Sequence, residues 1–161
     1  MSDFNQGDSV GEAKDRGHGD AAAAELRAAG FRVTAARLAI LDTVRSGDHL
    51  DVDTVTARVR ERLGRVSVQA VYEALHALTG AGLVRRIEPA GSPARFEGRV
   101  GDNHHHLVCR ECGRVTDVDC FVGDAPCLEP AHDAGYLVDE ADVTFWGHCP
   151  DCRREPVRNR T

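Results

Sequence analysis

Two Cys-x-x-Cys pairs, Cys109/Cys112 and Cys149/Cys152, bracket the C-terminal third of the chain, and three histidines, His104-His105-His106, precede the first pair. Thiolates and imidazoles are the ligands preferred by borderline metal ions. Two residues between cysteines let one tight turn present both sulfurs to a single ion, and two such turns close a tetrahedral shell. Cys109, Cys112, Cys149 and Cys152 therefore read as a structural zinc site. His104 and His106 alternate along an extended segment that runs into Cys109, so their side chains share one face while His105 points away.

Other uses of these residues have to be weighed. Disulfides suit an oxidising compartment, but residues 1–20 are polar and acidic, with none of the apolar stretch of a secretory signal. A redox pair at Cys149-Pro150-Asp151-Cys152 needs a supporting helix, and only nine residues, RREPVRNRT, follow it. A catalytic zinc needs an open position and a general base, yet neither His-Glu-x-x-His nor His-x-Glu followed by Pro-Cys-x-x-Cys occurs. A zinc adaptor that binds only proteins leaves the arginine-bearing segment upstream unexplained. A protein that is not an enzyme is expected.

That upstream segment is the scaffold. Ala21–Ala29 is rich in helix formers and ends at Gly30. Thr34 caps a second helix in which Leu38, Leu41 and Val44, with Ile40 beside them, keep a 3.6-residue period up to Gly47. Asp51 caps a third, with Val55, Val59 and Leu63 on one face and Gly64 as its stop. Ser67 caps a fourth, with Val68, Val71, Leu75 and Leu78 inward and Gly80/Gly82 beyond. Leu83–Glu88 and Ala94–Glu97 flank a Pro/Gly turn and predict a β-hairpin. Helices followed by such a hairpin make a winged helix-turn-helix, with Ser67–Thr79 as the helix that enters the DNA major groove. Arg65 and Ser67 at its N-terminus suit phosphate, and Gln69 an adenine edge. Tyr72 reads equally as an outward contact or a half-buried core aromatic.

The charge distribution fits this division. Residues 1–20 carry two basic and five acidic groups, residues 21–95 eleven and eight, and residues 96–161 seven and thirteen, so the net −6 hides a positive middle whose basic residues are all arginine. Guanidinium forks match phosphate. No apolar run is long enough to span a membrane, and a soluble, cytoplasmic protein is expected. Residues 1–20 have too little apolar surface to bury and are expected to form a disordered leader.

Gly30-Phe31-Arg32-Val33-Thr34 with Arg37, Val71-Tyr72 with Leu75, Gly82-Leu83-Val84, the run from His104 to Gly113 and the run from Trp146 to Cys152 stand in an order spanning roughly residues 21–152. In these motifs the chain resembles the ferric uptake regulator (Fur) superfamily, especially its peroxide-responsive, FurA/PerR-like branch of bacterial repressors. The resemblance implies a homodimeric, metal-dependent repressor of double-stranded operator DNA, with Arg32 and Arg37 joining Arg65, Ser67, Gln69 and Tyr72 at the DNA. It also implies a regulatory metal site between two domains, ligated by His49, Glu97, His104, His106 and Asp117. Imidazoles and carboxylates without thiolate suit Fe(II), Mn(II) or Zn(II). Metal would act as corepressor, and in peroxide-sensing relatives oxidation of a ligand histidine, here His49 or His104, releases it.

Some positions depart from the family. Glu73 stands where an arginine is frequent, which places an acid near phosphate. Glu97 replaces the aspartate of many peroxide sensors whereas Asp117 matches them, so iron sensing and peroxide sensing both stay open. Glu140-Ala141 stands where a third metal site would have histidines, and that site is expected to be absent or weak. Cys120 and Cys127 read as free thiols or as a redox-sensitive pair. The expected architecture is α+β in two domains: a winged helix-turn-helix over residues 21–96, and a mixed α/β dimerisation domain with the four-cysteine zinc site over residues 97–161. Strands are expected near His105–Arg110, Val115–Asp119 and Tyr136–Trp146, with a short helix around Cys127–Ala134.

Overall fold

The computed structural model describes residues 10–102, 104–119, 132–137 and 142–154. The chain begins with helices α1 (Val10–Ala28), α2 (Ala35–Arg45), α3 (Val52–Leu63) and α4 (Val68–Gly80). The last three start where a side chain accepts an otherwise unpaired amide. Thr34, Asp51 and Ser67 take the N–H groups of Arg37, Thr54 and Ala70 at 3.2, 2.8 and 3.1 Å, each such cap contributing about 1 kcal/mol. Leu26, Ile40, Leu41, Val44, Val55, Val59, Val71, Leu75 and Leu78 are buried in one cluster. Side chains of this size stabilise by roughly 1.5–3 kcal/mol each when covered.

The helical region corrects two expectations. α1 starts at Val10, so residues 10–20 continue the helix instead of forming an irregular leader. Ala21–Ala28 supplies the nucleus, and the good helix formers Glu12, Ala13, Lys14 and Arg16 extend it against a cost of about 1 kcal/mol at each of Gly11, Gly17 and Gly19. Leu63 and Val68, expected inward, are both 42% exposed. They are the last residue of α3 and the first of α4, at helix ends beyond the packed stripe.

The hairpin forms from β2 (Arg85–Ile87) and β3 (Arg95–Glu97), but β3 has a second neighbour, β1 (Leu50–Asp51). In this antiparallel sheet Leu50 faces Phe96, Asp51 faces Arg95 and Arg85 faces Glu97. The same register continued one step sets position 49 beside position 97.

A second sheet, ordered β5-β4-β6, consists of β4 (His104–Cys109), β5 (Val115–Asp119) and β6 (Thr144–Gly147). β5 is antiparallel to β4 with His106 opposite Asp117, and β6 is parallel with Cys109 beside Gly147. Ile87 of the wing packs with Val108, Val115 and Trp146 in a small core. β6 is much shorter than the expected Tyr136–Trp146: Tyr136 and Leu137 follow a turn at Ala134-Gly135 and belong to no strand. Of the helix expected over Cys127–Ala134, residues 132–134 are described and are not helical. Cys120, Cys127, Glu140 and Ala141 lie outside the described residues, as do residues 1–9. A single turn of helix not foreseen from the sequence, α5 (Pro150–Arg154), ends the described chain.

Candidate functional site

His49 follows α2 in a turn with φ of 49°, the left-handed region in which non-glycine residues are uncommon and histidine is one of the tolerated types. Arg95 donates a hydrogen bond to its carbonyl at 3.1 Å and pins the turn. Conformation and register together aim the imidazole at the end of β3. His49 Nε2 lies 2.9 Å from Glu97 Oε2 and 2.7 Å from Asp117 Oδ1. His106 Nε2, arriving on β4, is 3.4 Å from Glu97 Oε1 and 3.7 Å from Asp117 Oδ1. One donor atom from each of His49, Glu97, His106 and Asp117 falls within 4.8 Å of all the others. His104 borders the group, with Nε2 3.0 Å from Glu97 Oε1 and 3.9 Å from Asp117 Oδ1, and Nδ1 2.9 Å from Asp102 Oδ1. His105 faces the other way against Phe145, as strand alternation requires, although it too is buried.

The hydrogen bonding of this cluster is incomplete in a way that suits a cation. His49, Glu97, His104 and His106 are all buried. The approaches to His49 Nε2 are short but lie off the hydrogen-bond axes, so both ring nitrogens of His49 and Asp117 Oδ1 are buried without a hydrogen-bond partner. A buried polar atom without a hydrogen bond is costly, and one ion between Nε2 and Oδ1, 2.7 Å apart, would satisfy both. Adjacent N and O ligands bonded to a first-row divalent ion at about 2.1 Å stand roughly 3.0–3.4 Å apart, and the imidazole–carboxylate approaches in the group are 2.7, 2.9, 3.4 and 3.7 Å. Burial opposes ionisation of Glu97, yet the imidazoles of His106 and His49 beside it hold its carboxyl well below the usual range. Burial also opposes charge on His49; the carboxylates of Glu97 and Asp117 outweigh it and raise its pKa.

The thiolate cluster is assembled by the second sheet. Cys109 ends β4, and the N–H of Gly113 donates to its carbonyl at 2.9 Å, folding the chain so that Cys112 returns beside it. The parallel register of β6 brings Cys149 alongside, and its carbonyl accepts the N–H of Arg153 at 3.0 Å, which winds α5 around Cys152. All four sulfurs fall within one 4.8 Å group, with Cys112 and Cys149 at 3.8 Å. A Zn–S bond of about 2.3 Å requires a tetrahedral edge of about 3.8 Å, whereas a disulfide is about 2.05 Å. The residues fit zinc. Backbone N–H groups of Cys112 and then Cys149 donate to the Cys109 sulfur and lower its pKa to about 6. α5 is only five residues long, and no βαβ unit supports a thioredoxin-type centre among the described residues.

On the winged helix, Arg32 and Arg65 are exposed, and Tyr72 is 47% exposed on α4, which disfavours its core reading. Three expected contact residues are engaged within the chain. The Ser67 hydroxyl caps α4, the Gln69 amide donates to Glu73 at 2.9 Å, and Arg37 donates to the Arg32 carbonyl at 2.8 Å while lying 5.3 Å over the Phe31 ring. Sequence reasoning missed Arg95, Asp102 and Arg85, the last with Nε 3.8 Å from Glu97 Oε1. The closely spaced charges of Arg99 and Asp102 were the available signal for the pair that flanks His104.

A winged helix joined to a sheet that carries four thiolates, with a carboxylate–imidazole cluster where the two meet, defines a metal-binding transcriptional regulator rather than an enzyme. Residues 28–144 match the ferric uptake regulator family, and the chain belongs to it. It is 58% identical over 130 residues to the transcriptional regulator FurA of Mycobacterium tuberculosis, an alignment covering 81% of this chain and 88% of that protein. The crystal structure of the Vibrio cholerae ferric uptake regulator matches with a TM-score of 0.67 at 26% identity, covering 79% of this chain and 98% of that one. The ferric uptake regulator of Pseudomonas aeruginosa with manganese matches at 0.61 and 25% identity, over 80% and 98% of the two chains. Among the described residues, no helix is long and apolar enough to cross a membrane.

Proposed function

We propose that this chain is a cytoplasmic, metal-dependent repressor that pairs through residues 97–161 and grips two-fold-symmetric operator DNA through its winged helices. Arg32, Arg37, Arg65, Ser67, Gln69 and Tyr72 make the contacts, and release follows loss of the ion at the junction. The observation that carries this reading is the meeting of His49, from the winged helix, and Glu97, at the junction, with His106 and Asp117, from the second sheet, inside 4.8 Å. An ion held by all four, with His104 beside them, favours the one arrangement in which the groups meet. That difference in affinity between arrangements is what makes a metal a corepressor.

Zn(II) belongs to the four cysteines. The regulatory donors suit Fe(II) or Mn(II), and Zn(II) can take the same set, since such ligands leave selection to geometry and availability. Iron bound there supplies reactivity toward hydrogen peroxide, with the imidazole of His49 or His104 as the group oxidised. Losing His49 removes a hold on the winged helix, and losing His104 loosens Glu97. Oxidative-stress or iron-homeostasis genes are the class controlled.

Duplexes selected from a random pool by the Mn(II)-loaded protein provide the probe. Mn(II) is expected to tighten binding, His49→Ala to abolish that dependence, and Arg65→Ala to lower affinity and flatten its salt dependence. Binding indifferent to Mn(II), or untouched by Arg65→Ala and Arg32→Ala, overturns the proposal. Mass spectrometry of the Fe(II)-loaded protein after peroxide separates its branches. Oxygen on His49 or His104 marks a peroxide sensor, oxidation confined to cysteines a thiol switch, and no oxidation an iron sensor.

A further inference from the structure

Arg99 follows Glu97 and Gly98 and is not among the proposed ligands, yet it reaches three carboxylates. Its Nε is 2.5 Å from Asp102 Oδ2, one terminal nitrogen is 2.7 Å from Asp119 Oδ1, and the other is 3.7 Å from Asp117 Oδ2. Two of these carboxylates turn their other oxygen inward. Asp102 Oδ1 is 2.9 Å from His104 Nδ1, and Asp117 Oδ1 is 2.7 Å from His49 Nε2. Asp117 and Asp119 are two apart on β5 and so share a face, opposite His106 and His104 of β4.

An isolated surface ion pair contributes little. Here, however, two carboxylates are divided between a guanidinium outside and an imidazole inside, Asp102 through a hydrogen bond to Arg99 and Asp117 through a longer ion pair at 3.7 Å, so the outer contact biases the direction of the inner one. A planar fork with five donors can serve three carboxylates at once; an ammonium on a flexible stem cannot hold them in the same way.

We propose that Arg99 is a positioning residue of the regulatory site: it holds the outer oxygens of Asp102 and Asp117 so that Asp102 orients His104 and Asp117 presents Oδ1 to the ion. The proposal rests on reading the His49–Glu97–His106–Asp117 cluster as the regulatory metal site. Residues that orient metal ligands from behind typically change affinity by roughly 10–100-fold. Charge alone gives the opposite sign, because a guanidinium near a divalent cation repels it and its removal would tighten binding.

The test is Mn(II) affinity by chelator competition on the full-length, zinc-loaded protein, comparing wild type with Arg99→Gln, Arg99→Lys and Asp119→Asn, and with His49→Ala as the control for the site. Arg99→Gln is expected to weaken Mn(II) binding about tenfold or more. Arg99→Lys, which keeps the charge and loses the fork, is expected to lose nearly as much, and the electron paramagnetic resonance spectrum of bound Mn(II) to change in both. Asp119→Asn loosens Arg99 from a residue outside the cluster; it is expected to give a smaller loss of the same sign, and it serves if the Arg99 variants fail to fold. Unchanged or tighter binding in Arg99→Gln, or wild-type binding in Arg99→Lys, overturns the positioning role. Wild-type Mn(II) affinity in His49→Ala overturns the reading of the cluster itself.

Discussion

Gly98 lies against the backbone of Arg45, so closely that a Cβ at position 98 would stand 2.7 Å from Arg45 Cα and 2.6 Å from Arg45 Cγ. Glycine here lets the chain leaving β3 pass over the last turn of α2, and the same passage keeps Glu97 beside His49. In Gly98→Ala the obstructing atoms include backbone that cannot rotate aside, so the strand must shift. A loss of about 1–3 kcal/mol in urea unfolding is expected, together with weaker Mn(II) binding. Unchanged values on both would show that the strand end is free to move.

His49→Gly and His49→Ala both delete the imidazole, but only alanine must hold φ of 49° with a Cβ. That conformation costs roughly 1–2 kcal/mol for a non-glycine residue, partly offset by the greater unfolded-state freedom of glycine. Denaturation of the metal-free variants is expected to find His49→Gly the more stable, with both blind to Mn(II). Equal stabilities would mean that the turn relaxes when the imidazole is gone.

Zinc removal is expected to dismantle the second sheet before the helices. Among the described residues its own core is Ile87, Val108 and Val115 with Trp146, too small to order three strands without a cross-link. In Cys149→Ser, or in wild type with a strong chelator under reducing conditions, hydrogen exchange should lose protection along β4 and β5 while α2–α4 keep theirs. Protons compete with zinc for thiolates, and the Cys109 thiol, lowered to about 6, stays ionised above that pH. The Cys152 thiol, pushed up by the neighbouring sulfurs, is the ligand protons reclaim most readily, so zinc release is expected to increase on acidification, as followed with a colorimetric chelator.

Glu25 of α1 pairs with Arg45 of α2, and the hydrogen bond to that guanidinium holds its carboxyl below the usual range. A depressed carboxylate contributes stability that is present above its unfolded pKa and lost as the pH falls through the folded value. Both side chains are substantially exposed, so the contribution is at most about 0.5 kcal/mol. Glu25→Gln is expected to lower the melting temperature slightly at neutral pH and in low salt, and to match wild type in strong acid. A difference that persists in acid would assign the effect to packing.

Thr34, Asp51 and Ser67 announced their helices because an N-cap is a local device, settled by one side chain and an amide three residues on. β1 was invisible because Leu50–Asp51 is too short for alternation to register, and its pairing with Phe96 and Arg95 is a long-range event. The positive φ of His49 was equally unreadable, since its support comes from Arg95, far along the chain. The cysteines were legible from spacing alone. The gathering of His49, Glu97, His106 and Asp117 needed the registers of two sheets, and only the family resemblance anticipated it.

β4 carries members of both clusters, His104 and His106 at its start and Cys109 at its end, and it is hydrogen-bonded to β5 on one flank and β6 on the other. His106 and Cys109 are separated by roughly 10 Å of strand. A rod laced along both edges cannot slide by one residue without turning every side chain to the wrong face. With zinc at the four cysteines, as proposed above, the ion would clamp the far end of the ruler along which the near end is set. On the proposed function, a cell short of zinc would find this regulator deaf to the second ion while its winged helix was still intact.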